Sequence, residues 1–251
     1  MQSHKVSIIT PVYNSETFIA KTIQSVIAQT YTDWEMLIVD DCSTDNSKSI
    51  VEEFVKQDER IKYFVTTSPS GSPTFPRNIG IEMASGRFIA FLDSDDLWNC
   101  DKLYLQIPLF DDEKVGIVFS NYEKINEDGD TNERFVTAPS LVTYKKLMKG
   151  NVIACLTAIY DSKKIGKVYF TKQGHEDYAF WLSILKRGYI AKNSGHILAK
   201  YRVRKSSVSS NKFKVIKWYY KIYRQNEKLS VIVSIYYVFI ALFKSFFKYI
   251  K

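Results

Sequence analysis

The stretch "IAFLDSDDLW", Ile89–Trp98, places an acidic cluster directly after an apolar run. The apolar run predicts a short buried strand, and carboxylates follow it at Asp93, Asp95 and Asp96. Like charges this close repel one another unless protons or a cation relieve them. Taken alone, the stretch has two interpretations: a solvated loop that caps the next helix, or a site for a cation or ligand.

Strands and helices alternate in the N-terminal half. Apolar runs predict strands at "VSIIT", "EMLIVD", "IKYFV" and "RFIAFL", with helical patterns between them. This alternation is typical of an α/β fold with a mostly parallel sheet, in which ligands bind beyond the carboxyl ends of the strands. The polar segments "PVYN", "DDCSTD" and "DSDD" each follow a strand. We therefore expect the three segments to meet in one crevice.

The glycine-rich signatures of common nucleotide sites are missing from the sequence. No G-x-G-x-x-G follows the first strand and no G-x-x-x-x-G-K occurs, which argues against a dehydrogenase and a P-loop enzyme. If a nucleotide binds, metal ions or basic side chains must neutralise its diphosphate. Mg²⁺ and Mn²⁺ favour oxygen ligands and are often held by one or two carboxylates plus substrate phosphates. The acidic cluster is therefore the candidate seat for such an ion.

Four blocks in this order resemble glycosyltransferase family 2, whose members have the GT-A fold: "VSIITPVYN", "QSVIAQTYTDWEMLIVDDCSTDNS", "PRNIGIEMASGRFIAFLDSDDLW" and "HEDYAFWLSIL". The resemblance is collinear from Lys5 to Ser209. It implies a Rossmann-like, mostly parallel sheet flanked by helices. It also implies an inverting, metal-dependent hexosyltransferase that uses a nucleotide-sugar donor. The chain is similar to bacterial members that build surface polysaccharides on lipid-linked saccharide acceptors.

The resemblance also implies which residues bind the donor and the metal. The nucleoside pocket would be formed by Pro11, Val12, Tyr13, Asp40 and Asp41. Arg77, from the family's Arg-Asn pair, would bind phosphate or pair with the acidic cluster. Ser94 would face the donor together with Asp93, and Asp95 with Asp93 would hold Mg²⁺ or Mn²⁺. Asp45 has two open interpretations, a helix cap or a ligand contact.

The "HEDYAF" block implies a general base at Asp177, with Glu176 beside it. Inverting sugar transfer needs a carboxylate that accepts the proton of the acceptor hydroxyl as its oxygen attacks the anomeric carbon. A helix N-terminus lowers the pKa of an acid, whereas a neighbouring carboxylate raises it. The sequence does not decide which effect prevails at Asp177.

The chain departs from the family pattern at two places. The loop "SPSGSPTFP" contains three prolines, which makes the donor less certain, and Arg204 stands where a histidine is common. A phosphate contact at Arg204 would therefore have a different geometry. Two other functions stay open. One is a non-catalytic nucleotide-sugar-binding subunit; the other is a sugar-nucleotide pyrophosphorylase, although the glycine-rich N-terminal loop of such enzymes is absent.

The positive charge of the chain lies in its C-terminal segment, 212–251. There, nine Lys and Arg residues stand against the single anion Glu227, which accounts for the whole net charge of +8. We therefore divide the chain into a catalytic domain, 1–211, and a basic helical tail. Within the catalytic domain, we expect a nucleotide-binding half, 1–98, and an acceptor-side half, 99–211.

The tail contains fifteen uncharged residues, "LSVIVSIYYVFIALF", too few for an upright transmembrane helix. Small and polar residues form a stripe opposite a wide apolar face: Ser230, Ser234, Tyr237, Ala241, Lys244, Lys248 and Lys251. This pattern favours an amphipathic helix lying on an anionic membrane surface. The alternative is a helix packed on the catalytic domain or on the second copy of a homodimer. Nucleic-acid-binding motifs and a signal peptide are lacking, so we expect a cytoplasmic protein, peripheral on the inner face of the cell membrane, that binds no nucleic acid.

Overall fold

The computed structural model describes residues 4–204 and 212–248. These residues form one central sheet flanked by helices. The strands are β1 (Val6–Val12), β2 (Trp34–Asp40), β3 (Ile61–Val65), β4 (Phe88–Phe91), β5 (Leu97–Trp98), β6 (Val115–Ile125), β7 (Thr131–Val136), β8 (Leu141–Val142), β9 (Ile159–Asp161) and β10 (Ile190–Arg202). The helices are α1 (Ile19–Ile27), α2 (Ser47–Gln57), α3 (Thr74–Met83), α4 (Lys102–Gln106), α5 (Tyr144–Leu147), α6 (Ser162–Ile165), α7 (Glu176–Leu185), α8 (Lys212–Lys221) and α9 (Val231–Lys248). A π-helical segment, Ile222–Asn226, continues α8.

The strands of the two predicted halves belong to one sheet. Its order is β3-β2-β1-β4-β9-β6-β10-β5, with β7 paired to β6 and β8 paired to β10. Strands β1 to β4 are parallel, as the alternation of strands and helices predicts. Strand β9 then pairs antiparallel with both β4 and β6, so the second half of the sheet is mixed.

The apolar runs of the sequence become strands covered on both faces. Every residue of β1 and β2 is buried, as expected for parallel strands between two layers. Along β4, side chains alternate between two hydrophobic clusters: Ile89 and Phe91 belong to one, Phe88 and Ala90 to the other. Strand β4 therefore ends between two packed layers, and the acidic cluster begins at that edge.

Two loops place the starts of α1 and α3. Asn14 has a left-handed φ of 47°, and its side chain accepts a 2.8 Å hydrogen bond from the N–H of Thr44. It therefore joins the loops after β1 and β2, and α1 starts at Ile19. Helix α3 begins directly after Pro73, whose φ of −66° is already helical.

The tail helices pack on the same core as α7. Residues Tyr219, Ile222, Tyr223, Val238 and Ala241 share a hydrophobic cluster with Tyr178 and Trp181. Glu227 is buried and accepts hydrogen bonds from the Tyr144 hydroxyl at 2.5 Å and the Lys186 ammonium at 2.8 Å. The described part of the tail therefore belongs to the same folded unit as residues 4–204. Asn211 at the predicted boundary, Ser209 at the end of the resemblance, Lys251 and the side chain of Lys248 lie outside the described residues.

Helix α9 turns the middle of its small and polar stripe, Ser234 to Ala241, toward the protein, whereas Lys244 is exposed. Ser234 and Ala241 are buried, while Ile232 is 80% and Phe239 68% exposed on the opposite face. Most surface helices bury their apolar face, so this orientation is reversed. Within the described ranges, no helix is both long and apolar enough to cross a membrane.

Candidate active site

A cavity of about 770 Å³ opens beyond the end of β4, with walls from α3, α7, α8 and the end of β10. Its charged lining consists of Arg77, Asp93, Asp95, Asp96, Lys172, Glu176, Asp177, Arg202 and Arg204. Its aromatic lining consists of Tyr122, Tyr201 and Trp218. The structure therefore brings together the acidic cluster, the arginine of the Arg-Asn pair and both acids of "HEDYAF".

Arg77 and Asp93 form an ion pair in the cavity, with Nη2 2.5 Å from Oδ1. Burial alone would lower the pKa of Arg77, but the attraction of Asp93 outweighs it and the pKa is raised, so the guanidinium stays charged. The guanidinium also lies over the ring of Phe170. Asn78 bonds the N–H and the carbonyl of Phe170, at 2.8 and 2.9 Å. Thus Arg77 places charge in the cavity, and Asn78 fixes the segment against which Arg77 packs.

Asp95 is partly exposed to the cavity, whereas Asp96 is buried behind it. Oδ1 of Asp96 accepts from the N–H of Arg202 at 2.8 Å, and Oδ2 has no partner in the described part of the chain. Burial, together with the charges of Asp95 and Asp93, raises the pKa of Asp96. Burial and the charge of Asp93 also raise the pKa of Asp95, against the opposing effect of Arg204 at 3.5 Å. Of these two carboxylates, Asp95 is therefore the one open to a ligand.

The acidic cluster offers oxygen ligands to a divalent cation. Among the described residues, no group of three or more His, Cys, Asp or Glu side chains is arranged as a metal site. A cation here would rest on Asp95 and Asp93 and take its other ligands from donor phosphates and water. Such a set fits Mg²⁺ or Mn²⁺. Burial and then repulsion from Asp93 raise the pKa of Asp95, and a cation would relieve the repulsion.

Ser94 points away from the cavity lining. Its Oγ lies 2.7 Å from Oγ of Ser15, and its carbonyl accepts a 2.9 Å hydrogen bond from the Thr22 hydroxyl. Both partners belong to the α1 region. Ser94 therefore anchors the acidic turn to the neighbouring helix.

The residues predicted for the nucleoside pocket lie at the ends of β1 and β2, and none of them belongs to the described lining of the cavity. Pro11 and Val12 are buried in β1, and Tyr13 is 56% exposed. Asp40 is buried and accepts a 2.6 Å hydrogen bond from the Tyr63 hydroxyl. Tyr13 is therefore the member of this group whose side chain is most open to a ligand.

Asp41 holds the proline-rich loop in place. Its carboxylate accepts from the N–H and the hydroxyl of Ser70, both at 2.9 Å, and from the N–H of Gly71 at 3.2 Å. Gly71 lines the cavity, so Asp41 shapes the cavity wall through this loop. Asp45 accepts from the N–H of Ser47 at 3.0 Å and from the N–H of Glu16 at 2.9 Å, so it joins the turn before α2 to the loop after β1, while the N-cap position of α2 is Asn46.

Asp177 places its carboxylate in the cavity at the start of α7. Oδ2 accepts a 2.9 Å hydrogen bond from Nδ2 of Asn151. Burial raises the pKa of Asp177, although His175 and Arg77 oppose the rise. Burial, which the sequence does not reveal, therefore decides that the pKa of Asp177 is raised. A carboxylate with a raised pKa is a stronger base.

The turn before α7 is sharply bent. Gly174 and His175 have positive φ values of 81° and 48°, and the second is uncommon for a residue with a side chain. Glu176 accepts from the N–H of Gly174 at 3.3 Å, so it has a different partner from Asp177. Burial lowers the pKa of His175, which favours its neutral form.

Arg202 is one of several cavity residues that the sequence did not identify, as are Lys172 and Trp218. Its Nε donates to the carbonyl of Asp95 and its Nη1 to the carbonyl of Glu127, both at 2.7 Å. Its Nη2 is buried and has no partner within the described ranges. The signal was present in "YRVR", because residues two apart on a strand share a face. Both Arg202 and Arg204 lie over the ring of Phe18.

Known sequences match this chain over most of its length. The model of "Glycosyl transferase family 2" matches residues 7–179. A putative teichuronic acid biosynthesis glycosyltransferase of Bacillus subtilis (strain 168) is 40% identical, over 89% of this chain and 89% of its own. A UDP-Glc:alpha-D-GlcNAc-diphosphoundecaprenol beta-1,3-glucosyltransferase of Escherichia coli is 45% identical, over 86% of this chain and 84% of its own.

Solved structures share the fold. S. aureus TarS 1-349 in complex with UDP-GlcNAc superposes with a TM-score of 0.71 at 24% identity, covering 93% of this chain and 70% of that chain. A mannosyltransferase from Pyrobaculum calidifontis in complex with GDP-Man and Mn²⁺ gives a TM-score of 0.71 at 18% identity, covering 95% and 70%. These matches confirm the predicted GT-A fold, and the family match confirms the resemblance seen in the four blocks. The chain belongs to glycosyl transferase family 2.

Proposed function

We propose that this glycosyltransferase passes a hexose from a nucleoside-diphosphate sugar to a lipid-linked saccharide in surface polysaccharide synthesis, with inversion and with Mg²⁺ or Mn²⁺. The names of two relatives support the acceptor class, since one acts in teichuronic acid biosynthesis and the other on a diphosphoundecaprenol-linked sugar. The observation that carries the proposal is the shared cavity of Asp177, the acidic cluster and three arginines.

The cavity offers one group for each part of the reaction. Arg77, Arg202 and Arg204 supply positive charge for the donor diphosphate. Asp177 accepts the proton of the acceptor hydroxyl while the acceptor oxygen bonds to the anomeric carbon. The bond from that carbon to the diphosphate breaks, and its electron pair leaves with the nucleoside diphosphate. A single displacement of this kind inverts the anomeric centre.

Asp95 and Asp93 are the proposed ligands of the divalent cation. When bound, such a cation neutralises charge on the leaving diphosphate. In the protein alone, Arg77 and Arg204 compensate these two carboxylates through their ion pairs. The donor diphosphate would therefore contact the arginines directly and the acidic cluster through the bound cation.

Incubation of the protein with Mn²⁺, a lipid-linked acceptor and a panel of nucleotide sugars tests the proposal by mass spectrometry. We expect a glycosylated acceptor and free nucleoside diphosphate. Release of sugar phosphate would identify a pyrophosphorylase instead, and no product from any donor would identify a non-catalytic binder. Asp177→Asn should keep donor binding and lose at least about a hundredfold in kcat, the low end for a general base. Undiminished turnover would remove Asp177 from the mechanism.

We also propose peripheral attachment to the anionic cytoplasmic face of the membrane through 212–251. The exposed apolar face of α9 would enter the interface, and exposed cations such as Lys217, Lys228 and Lys244 would meet anionic headgroups. Glu227 is paired inside the protein and does not offset these charges at the surface. Self-association of two copies through the same face is the competing use. Liposome flotation together with size-exclusion chromatography distinguishes membrane attachment from self-association.

A further inference from the structure

Trp218 brings the C-terminal helix α8 into the active-site cavity. Helix α8 lies beyond the residues that the family model matches, yet Trp218 lines the cavity together with Glu176 and Asp177. The other three tryptophans of the chain are buried: Trp34, Trp98 and Trp181. Trp218 is partly exposed. An indole that stays open in a charged cavity suits a ligand with both apolar and polar surface.

The indole packs directly on the turn before the proposed base. A methyl group on Gly174 would lie 2.4 Å from Cε2 and Nε1 of Trp218, so the backbone there approaches the ring closely. The ring of His175 meets the indole edge-on, at a centroid distance of 5.3 Å and an angle of 85°. Asp177 follows two residues later. The indole and the carboxylate of Asp177 therefore border the same part of the cavity.

A hydroxyl that transfers its proton to Asp177 must lie within hydrogen-bond reach of that carboxylate. The sugar ring carrying the hydroxyl is then placed beside Trp218. A pyranose ring presents C–H groups on one face, and these pack favourably on the electron-rich face of an indole. Hydroxyls at its rim remain free to bond to Glu176 and Asp177.

We propose that Trp218 is the stacking platform for the terminal sugar of the acceptor saccharide. This inference rests on the proposed transferase function and adds to it a subsite contributed by the tail. The outer side of α8 supplies a matched control. Ile216, two residues away, lines a separate apolar groove with Tyr220, Ile235 and Val238. Substitution of Ile216 therefore changes the same helix without changing the active-site cavity.

The test compares Trp218→Ala, Trp218→Phe and Ile216→Ala with the wild type. The acceptor probe is N-acetylglucosamine joined through diphosphate to a short alkyl chain, chosen after the acceptor named for the E. coli relative. We expect Trp218→Ala to raise the acceptor KM about tenfold or more, as loss of an aromatic contact implies. The donor KM and the rate of acceptor-independent donor hydrolysis should change less than about twofold. Trp218→Phe should keep most of the affinity, and Ile216→Ala should match the wild type.

Intrinsic fluorescence gives a readout that a purely structural role would not move. The other tryptophans are buried, so a change of emission on adding the probe reports contact at Trp218. We expect this change in the wild type and in Ile216→Ala, and its loss in Trp218→Phe. Thermal unfolding of each variant checks that the fold is kept.

Two results would overturn the subsite. The first is a parallel loss of transfer and donor hydrolysis in Trp218→Ala with an unchanged acceptor KM, because Trp218 would then only support the turn before α7. The second is wild-type fluorescence that does not respond to saturating probe. Failure of the wild type to transfer any sugar to this probe while its fluorescence responds would count against the transferase function and leave the saccharide subsite standing.

Discussion

The hydroxyl oxygens of Tyr178 and Tyr223 lie 3.0 Å apart in the core and join the helix of the proposed base to the C-terminal tail. Tyr178 directly follows Asp177 in α7. Tyr223 belongs to the π-helical segment after α8, and its hydroxyl also donates to the carbonyl of Met148 at 2.8 Å. Burial raises the pKa of both tyrosines, so both stay protonated. The packing of the tail and the placement of α7 are therefore linked.

Deletion of the tail from Lys212 onward should aggregate or unfold the protein, although its charge pattern alone suggests a dispensable appendage. The deletion would remove several buried side chains, Tyr219, Ile222, Tyr223 and Ala241 among them, from the core around α7. Each large apolar side chain contributes about 1.5–3 kcal/mol, against a usual total of about 5–15 kcal/mol. Circular dichroism during heating should show no cooperative transition. A monodisperse truncated chain that unfolds at the wild-type temperature would contradict the shared core.

Substitution of the exposed face of α9, as in Ile232→Ser with Phe239→Ser, should abolish flotation with anionic liposomes and leave thermal stability nearly unchanged. Exposed positions usually change stability by less than about 0.5 kcal/mol. Tyr104→Ser, which removes an exposed aromatic from α4, is the matched control and should float like the wild type. High salt should weaken wild-type binding only in part, because screening removes the charge contribution and leaves the apolar one.

The opposite result identifies the competing use of this face. If the double variant changes from dimer to monomer in size-exclusion chromatography while liposome binding is retained, the face joins two copies of the chain. The membrane proposal would then be withdrawn.

The orientation of α9 illustrates what a local pattern cannot predict. The stripe of small residues and the wide apolar face are both visible in the sequence, but the side that packs inward depends on the partner. Gly150 and Tyr223 are two such partners: a methyl group on Gly150 would make an ordinary 3.6 Å contact with Cα of Ala241, and the ring centroid of Tyr223 lies 5.6 Å from that of Tyr237. Neither contact is visible in the local pattern of α9.

The same limit applies to the candidate site. The strands and the acidic cluster were predictable because an apolar run and the residues that follow it are local in sequence. The contacts of Asn14 and Arg202 were not, because the partners, Thr44 for the first and Asp95 and Glu127 for the second, are distant in the chain. The local sequence around Asn14 would look the same whether its side chain capped a helix or joined two loops.

The acid limb of the pH–rate profile should lie above the value expected for an ordinary aspartate, about 3.9. Asp177 must be ionised to accept a proton, and burial raises its pKa, so activity falls as the pH drops through that raised value. Three surrounding groups lower the pKa of Asp177 and so oppose the effect of burial: His175 when charged, Arg77, and the amide of Asn151. The profile of kcat/KM against pH for the wild type measures this limb.

Asn151→Ala provides the comparison. Removing the amide donor withdraws a hydrogen bond that favours the carboxylate form of Asp177, so the acid limb should move to higher pH. An acid limb that stays in place in this variant would mean that another group controls it.

Glu35→Gln should lower stability by about 1–3 kcal/mol without changing activity, because Glu35 lies on β2 away from the cavity. Its carboxylate accepts from Lys62 at 2.8 Å, Ser7 at 2.7 Å and Ser85 at 2.7 Å. Burial raises the pKa of Glu35, but these bonds outweigh it and lower the pKa to about 2. The pKa in the unfolded chain is about 4.3, so the stabilisation is present above that pH and is lost as the pH falls toward 2. Melting temperatures of both proteins should therefore converge in acid, and a constant difference would contradict the assignment.

Arg202→Lys should impair donor use more than Arg204→Lys does. The Arg202 guanidinium is buried and bridges Asp95 to the β6–β7 turn through separate nitrogens, and the residue contributes to the cavity wall. A lysine has one charged nitrogen and cannot make these contacts together. Arg204 is 46% exposed and meets Asp95 at 3.5 Å, a weaker pair. With the donor found in the nucleotide-sugar panel, we expect the donor KM to rise about tenfold or more in Arg202→Lys and only a few-fold in Arg204→Lys, as a charge-assisted contact implies. Equal effects in the two variants would mean that Arg202 acts only through the fold, and a larger effect in Arg204→Lys would make Arg204 the main diphosphate contact.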